Sequence, residues 1–275
     1  MMDRRLTAFC ASVALIGALA AGYWWMTLST ASLPDEAPLP VPPFPPRIAE
    51  GATYEGCLAT LASDPASALS IAEAWQATGG GDGAQHCHGL ALIAVGKPAD
   101  GAAMLEQLAQ QGSAPVMGRA LLLGQAVQAR LMVGQADKAA DDATAALALT
   151  PDDTDLFIMR AAAESIMNRY DDAVTDLNRA VLLDGTRSDA LVARAVMRRR
   201  MNKLDLAQAD VSRALVLDPD NADALLERGI LRQRMGDAEG ARSDWEHARG
   251  VDPNSTTADL AAQNLALLEA GPRER

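Results

Sequence analysis

Cysteine, histidine and arginine are the residues of this chain whose types and spacing could do chemistry. Cys57 and Cys87 are the only cysteines outside an apolar N-terminal run that contains Cys10. An even pair in an oxidising compartment reads as a disulfide. Closing the intervening loop of 30 residues would contribute about 3–4 kcal/mol in the chain-entropy picture. Two buried free thiols are the alternative. His86-Cys87-His88 invites a metal, but adjacent helical residues point about 100° apart and cannot converge on one ion. The glycine run GGGDG at 79–83 is followed by no Lys-Ser/Thr pair, so it reads as an interhelical turn rather than a phosphate cradle. No nucleophile elbow, metalloprotease helix, deaminase pattern or C-x-x-C-H haem site is present. The sequence therefore offers no site for catalysis and calls for no cofactor and no metal.

The elements that would position these residues follow from composition. The chain has 275 residues, 49% of them apolar but only 4% aromatic. Its core must be built from Ala, Leu, Val and Met, a composition that suits helices better than strands. A net charge of −12 repels phosphate backbones, and aromatic platforms are few, so nucleic-acid binding is excluded. Only Lys97, Lys138 and Lys203 are lysines among 24 basic residues, a usage that suggests a GC-rich bacterial genome.

The N-terminus divides from the rest. Residues 1–5 are basic, and the 23 residues from Leu6 to Leu28 are uncharged and apolar. As a helix this run would be about 35 Å long, enough to cross a hydrocarbon core of about 30 Å. Tyr23, Trp24 and Trp25 stand near its far end, where rings favour the headgroup boundary. Arg4 and Arg5 precede it and no basic residue follows until Arg47, which places the N-terminus inside. A cleaved signal peptide ending at Ala18-Leu19-Ala20 is the rival, but hydrophobicity continues past that point. The expectation is a single-pass bacterial inner-membrane protein with a cytoplasmic N-terminus and a periplasmic main domain. Residues 29–52, with PDEAPLPVPPFPP at 34–46, read as an extended polyproline spacer.

Periodicity decides the fold. Pro151, Gly185, Pro219 and Pro253 recur at intervals of 34, as do Ala139, Ala173, Ala207 and Ala241. Ala146, Ala180, Ala214 and Ala248 repeat the interval, as do Gly134, Asn168, Asn202 and Gly236. One unit is a helix opened by Asp155, Asp189 or Asp223, closed at a Gly or Asn suited to the left-handed conformation, and followed by a second helix that the next Pro stops. Small alanines let the paired helices approach. Leu123, Phe157, Leu191, Leu225 and Trp245 fill the space between units. No unit buries its apolar faces alone, so stacking supplies the core.

This 34-residue pattern resembles the tetratricopeptide repeat family, most closely in ALLERGILRQRMGDAEGARSDWEHARGVDP, which includes Gly229. Leu or Phe stands where the family often has Trp, and Gly185 replaces a closing Pro. The resemblance implies an all-α, right-handed solenoid of helix-turn-helix repeats, preceded here by the one transmembrane helix. Four repeats span 116–255, a capping helix 256–270, and degenerate pairs 53–115, with helices near 54–62, 66–78, 84–96 and 98–110. Cys57 and Cys87 then fall on first helices of adjacent pairs, which pack side by side.

In such repeats first helices line a concave surface that commonly binds peptides or partner helices. Arg194, Arg198, Arg199 and Arg200, with Arg228, Arg232 and Arg234, concentrate cations on the first helices of the last two full units. Arg198, Arg199, Arg200, Arg232 and Arg234 could hold an acidic segment. The bland reading, which weighs more, is internal pairing with Asp189, Asp223 or acids of second helices; Arg194 and Arg228 share register with Arg160 and read as structural. The carboxylate-clamp pattern of the family is missing. Ile158, Ala162, Val192, Val196, Leu226 and Ile230 occupy those positions, an apolar strip suited equally to a hydrophobic ligand. The expected function is a membrane-anchored periplasmic scaffold that holds another protein in its concave groove. The alternative is a chaperone or assembly factor in envelope-complex or c-type cytochrome biogenesis.

Overall fold

A computed structural model describes residues 48–270. Among the described residues there are thirteen α-helices and no strand. In chain order they are α1 (Ala52–Ser63), α2 (Pro65–Ala77), α3 (Gly81–Ala94), α4 (Pro98–Gln111), α5 (Val116–Met132), α6 (Ala136–Leu149) and α7 (Thr154–Ile166). They continue as α8 (Tyr170–Leu183), α9 (Ser188–Arg200), α10 (Leu204–Leu217), α11 (Ala222–Arg234), α12 (Ala238–Val251) and α13 (Thr256–Ala270). Each helix packs on its chain neighbour, and odd-numbered helices also touch the next odd-numbered one at α1–α3, α5–α7, α7–α9, α9–α11 and α11–α13. That pattern is a stack of hairpins, an all-α solenoid.

The turns show why the chain doubles back where it does. Gly134, Asn168, Asn202 and Gly236 all adopt positive φ, at 70°, 60°, 59° and 89°. This is the left-handed region that Gly enters freely and Asn tolerates. Helix starts are fixed by side-chain caps: Asp153 accepts from Leu156 N, Asn221 from Ala224 N and Asp237 from Gly240 N. Pro65 and Pro98 open α2 and α4, where a missing N–H is harmless. Pro151, Pro219 and Pro253 each stand two residues past a helix end.

Close packing rests on small residues. Ala139, Ala173, Ala207 and Ala241, and likewise Ala146, Ala180, Ala214 and Ala248, are fully buried. A compensating pair runs through the same register. At a spacing of 16 residues, Val127 is matched with Ala143, Ala161 with Leu177, Ala195 with Val211, and Gly229 with Trp245. A Cβ on Gly229 would overlap the Trp245 indole. Glycine therefore makes room for the largest fully buried side chain, whose Nε1–H donates to Leu226 O at 3.2 Å.

Two expectations are revised. Among the described residues no helix is long and apolar enough to cross a membrane. The inner-membrane placement with a transmembrane anchor and a periplasmic domain is corrected accordingly. The run from Leu6 to Leu28 and the polyproline segment at 34–46 lie outside the described residues. The GGGDG run is only partly a turn: α3 begins at Gly81, three residues before the expected start. The neighbouring glycines are closely packed: a Cβ at Gly80 would meet Ala84 and Trp75, and one at Gly83 would meet Ala49 and Trp75.

Candidate functional site

Most of the arginines singled out by sequence pair internally with acids of second helices, the arrangement that carried more weight on sequence grounds. Arg160 reaches Asp176, Arg194 reaches Asp210 and Arg228 reaches Asp244, each bidentately with N–O distances of 2.6–3.0 Å. Arg198 and Arg232 add a second guanidinium to Asp210 at 2.6 Å and to Asp244 at 2.7 Å. All four aspartates of this row, Asp142, Asp176, Asp210 and Asp244, are buried. They lie 34 residues apart, so a search for acids in register with the arginines would have found them. The ion pairs tie each first helix to its own second helix. Breaking such a pair leaves a buried charge without a counterion.

The ladder has variants at its N-terminal end. Where later units have Arg160, Arg194 and Arg228, the α5 unit has Ala126. Asp142 is held instead by Arg130 at 2.5 Å, and Arg130 also reaches Glu106. Burial pushes the Asp142 carboxyl up to about 6 against the pull of Arg130. In the α7 unit, Glu164 stands where the other three have Arg130, Arg198 and Arg232. Its Oε2 is buried with no hydrogen-bond partner among the described residues. Burial and the neighbouring Asp176 carboxylate raise the Glu164 carboxyl to about 7, opposed by Arg160.

Once these pairs are formed, the arginine cluster is largely neutralised. Arg198 and Arg232 belong to the ladder. Arg199 is held at 2.5 Å by Glu227, which is 3% exposed. Burial raises the Glu227 carboxyl, and Arg199 opposes that shift. Arg200 and Arg234 are exposed, and Arg234 donates to the Arg199 carbonyl at 3.3 Å.

The apolar strip is brought together. A cavity of about 640 Å³ lies between α5 and α7, lined by Leu121, Gly124, Gln125, Ile158 and Met159, with Asp153, Asp155 and Arg187 at its edge. A second, of about 330 Å³ between α9 and α11, is lined by Val192, Val196 and Leu226 with Asp189, Asp223 and Glu227. Ile230 packs against the same core from the partly buried side. The first helices thus form an apolar floor edged by carboxylates. Arg187 bridges Asp155 at 2.6 Å and Asp189 at 2.7 Å. Its hydrogen bond is the main force that lowers the Asp189 carboxyl below its ordinary range.

The N-terminal pairs are fastened differently. Cys57 and Cys87 are joined in a disulfide across α1 and α3, with Cα atoms 6.4 Å apart. Both are buried. Tyr54 Oη lies 2.6 Å from His86 Nδ1, and His86 Nε2 lies 2.9 Å from Gln125 Oε1. This polar chain links α1, α3 and α5. Burial lowers the His86 pKa; the neutral ring donates from Nε2 and accepts from the tyrosine. His88 turns instead to Gln76, so the three residues of the His-Cys-His run face three different partners. Among the described residues no group of three His, Cys, Asp or Glu side chains could hold a metal ion.

These features define a class: an α-solenoid of helix hairpins in which first helices stack on first helices. Residues 199–266 match the tetratricopeptide repeat family model. Two solved structures share the fold beyond that stretch. One is a thermophilic TPR protein of Thermus thermophilus, with TM-score 0.54 and 17% identity over 68% of this chain and 97% of that one. The other is MamA residues 41 to the end from Desulfovibrio magneticus, with TM-score 0.54 and 16% identity over 62% and 95%. No curated protein sequence matches the chain.

Proposed function

We propose that this chain is a binding scaffold that holds a segment of another protein along the concave row of α5, α7, α9 and α11. The observation that carries the reading is the apolar floor of Ile158, Val192, Val196 and Leu226 in two cavities of that row. Partly buried apolar side chains lining an open cleft give a docking segment apolar area to cover, and in repeat proteins stacking leaves one face open for it. The floor, not the arginine cluster, supplies the affinity, because Arg198, Arg199 and Arg232 already answer internal carboxylates. The ladder and the disulfide keep the groove preformed, which lowers the entropy that binding must overcome.

The test is capture of the partner by the full chain. Val196→Asp combined with Leu226→Asp places charge on the floor, so capture is lost while the thermal transition stays cooperative. Retained capture by this variant overturns the reading.

A further inference from the structure

We propose that the groove is electrically polarised across its width, and that it takes an amphipathic helix in one direction only. The helix carries Lys or Arg along one flank of its apolar stripe and Asp or Glu along the other. This inference rests on the groove reading above and adds the chemistry of the partner.

The polarity comes from how the first helices are charged. Asp155, Asp189 and Asp223 occupy the first turns of α7, α9 and α11, in register at the rim of the groove. Arg187 is shared by two of them, and Asp223 receives the Thr257 hydroxyl at 2.5 Å. Asp155, Asp189, Asp223 and Arg187 together carry a net charge of about −2, and Asp153 stands beside them. Arg200 and Arg234 close the last turns of α9 and α11. They stand on the faces of Val196 and Ile230, four residues on. The opposite rim is near +2. Charges at helix ends are favoured by the dipole. Because successive first helices run parallel, that preference puts acids on one rim at α7, α9 and α11 and arginines on the other at α9 and α11, and the full charges exceed the roughly half-charge of the dipole ends.

The width admits a helix. Asp189 and Arg200, like Asp223 and Arg234, are 11 residues apart on one helix, about 16 Å at 1.5 Å per residue. A helix, about 10–12 Å across with its side chains, lies between rims at this spacing with the Asp and Arg side chains reaching inward to it. Neighbouring first helices stand roughly 10 Å apart, the rise of about seven helical residues. Charges at heptad spacing therefore meet successive carboxylates. Turning such a helix end for end exchanges its flanks, so the rims fix its direction.

The probe is a 21-residue synthetic amphipathic helix with a leucine stripe, lysine at heptad positions on one flank, glutamate on the other, and a nitroxide at its N-terminus. Binding to the full chain is read by paramagnetic broadening of the Leu121 and Leu226 methyl resonances, on α5 and α11 at the two ends of the row. One end broadens at least tenfold more than the other at low salt. A probe with lysine and glutamate exchanged broadens the opposite end. The quadruple variant Asp189→Arg, Asp223→Arg, Arg200→Asp, Arg234→Asp reverses the original probe. Equal broadening at both ends, or no reversal with the exchanged probe, overturns the polarity while leaving the groove reading intact. Failure of either probe to bind also overturns this proposal, and the Val196→Asp/Leu226→Asp capture assay then decides separately whether the groove reading falls.

Discussion

The unit built from α7 and α8 and the two that follow it share one backbone plan and differ in one charge beside the buried aspartate. In the α9 and α11 units two arginines converge on one buried aspartate. In the α7 unit Arg160 serves Asp176 alone, and Glu164 brings a second carboxylate to where the other arginine stands. A repeat protein sums similar units and their interfaces, so one inverted charge makes a local weak point without altering the fold. The N-terminal pairs show a third solution. There a disulfide and a Tyr54–His86–Gln125 chain stand in for the ladder.

Removing a ladder aspartate gives the largest expected effect. Asp244→Ala strands Arg228 and Arg232, and urea denaturation is expected to show a loss of about 3–5 kcal/mol. An equal loss from the same change at an exposed acid such as Asp152 would show that the ladder has no special weight. Next comes the covalent staple. Cys57→Ala with Cys87→Ala should lower stability by about 2–4 kcal/mol. Hydrogen exchange should place the loss in α1–α4, leaving α9–α12 protected.

Gly229→Ala tests the compensating pair. Alanine favours a helix by about 1 kcal/mol, but overlap with the buried Trp245 should cost about 1–3 kcal/mol, for a net fall in melting temperature. Gly229→Ala in a Trp245→Leu background should lose that penalty. A rise in melting temperature with Trp245 intact would contradict the packing account.

The smallest effect is the pH dependence of the weak unit. The Glu164 carboxyl is raised from 4.5 to about 7 in the fold. Between those values the folded chain binds more protons than the unfolded one, so this contribution is full below about 4.5 and is lost as pH rises through 7. Glu164→Gln should remove roughly 1 kcal/mol of that decline, after allowance for solvent screening. Thermal melts at pH 5 and 8 measure it. The Asp142 contribution, of the same sign, should persist in this variant.

How much of this was legible follows from what repeats. The turns at Asn168 and Asn202 and the alanine rows were readable because each recurs at a fixed interval and has one physical meaning. The Asp142–Asp244 row has the same period, but acids in an acidic chain resemble solvated surface until burial is known. Glu164 is visible only as a departure from a register that must first be assigned to arginine. The Tyr54–His86–Gln125 chain occurs once and has no period, so nothing in the sequence marks it. The Gly81 start of α3 likewise has no period to mark it.

The most direct test of the scaffold reading is site-specific photo-crosslinking in cells from two positions of the full chain. Val196 lies on the floor of the groove, and Ser212 is exposed on α10, in the second-helix row. The account predicts a discrete crosslinked partner from Val196 that disappears with Leu226→Asp, and none from Ser212. Crosslinks from Ser212 with none from Val196 would contradict it.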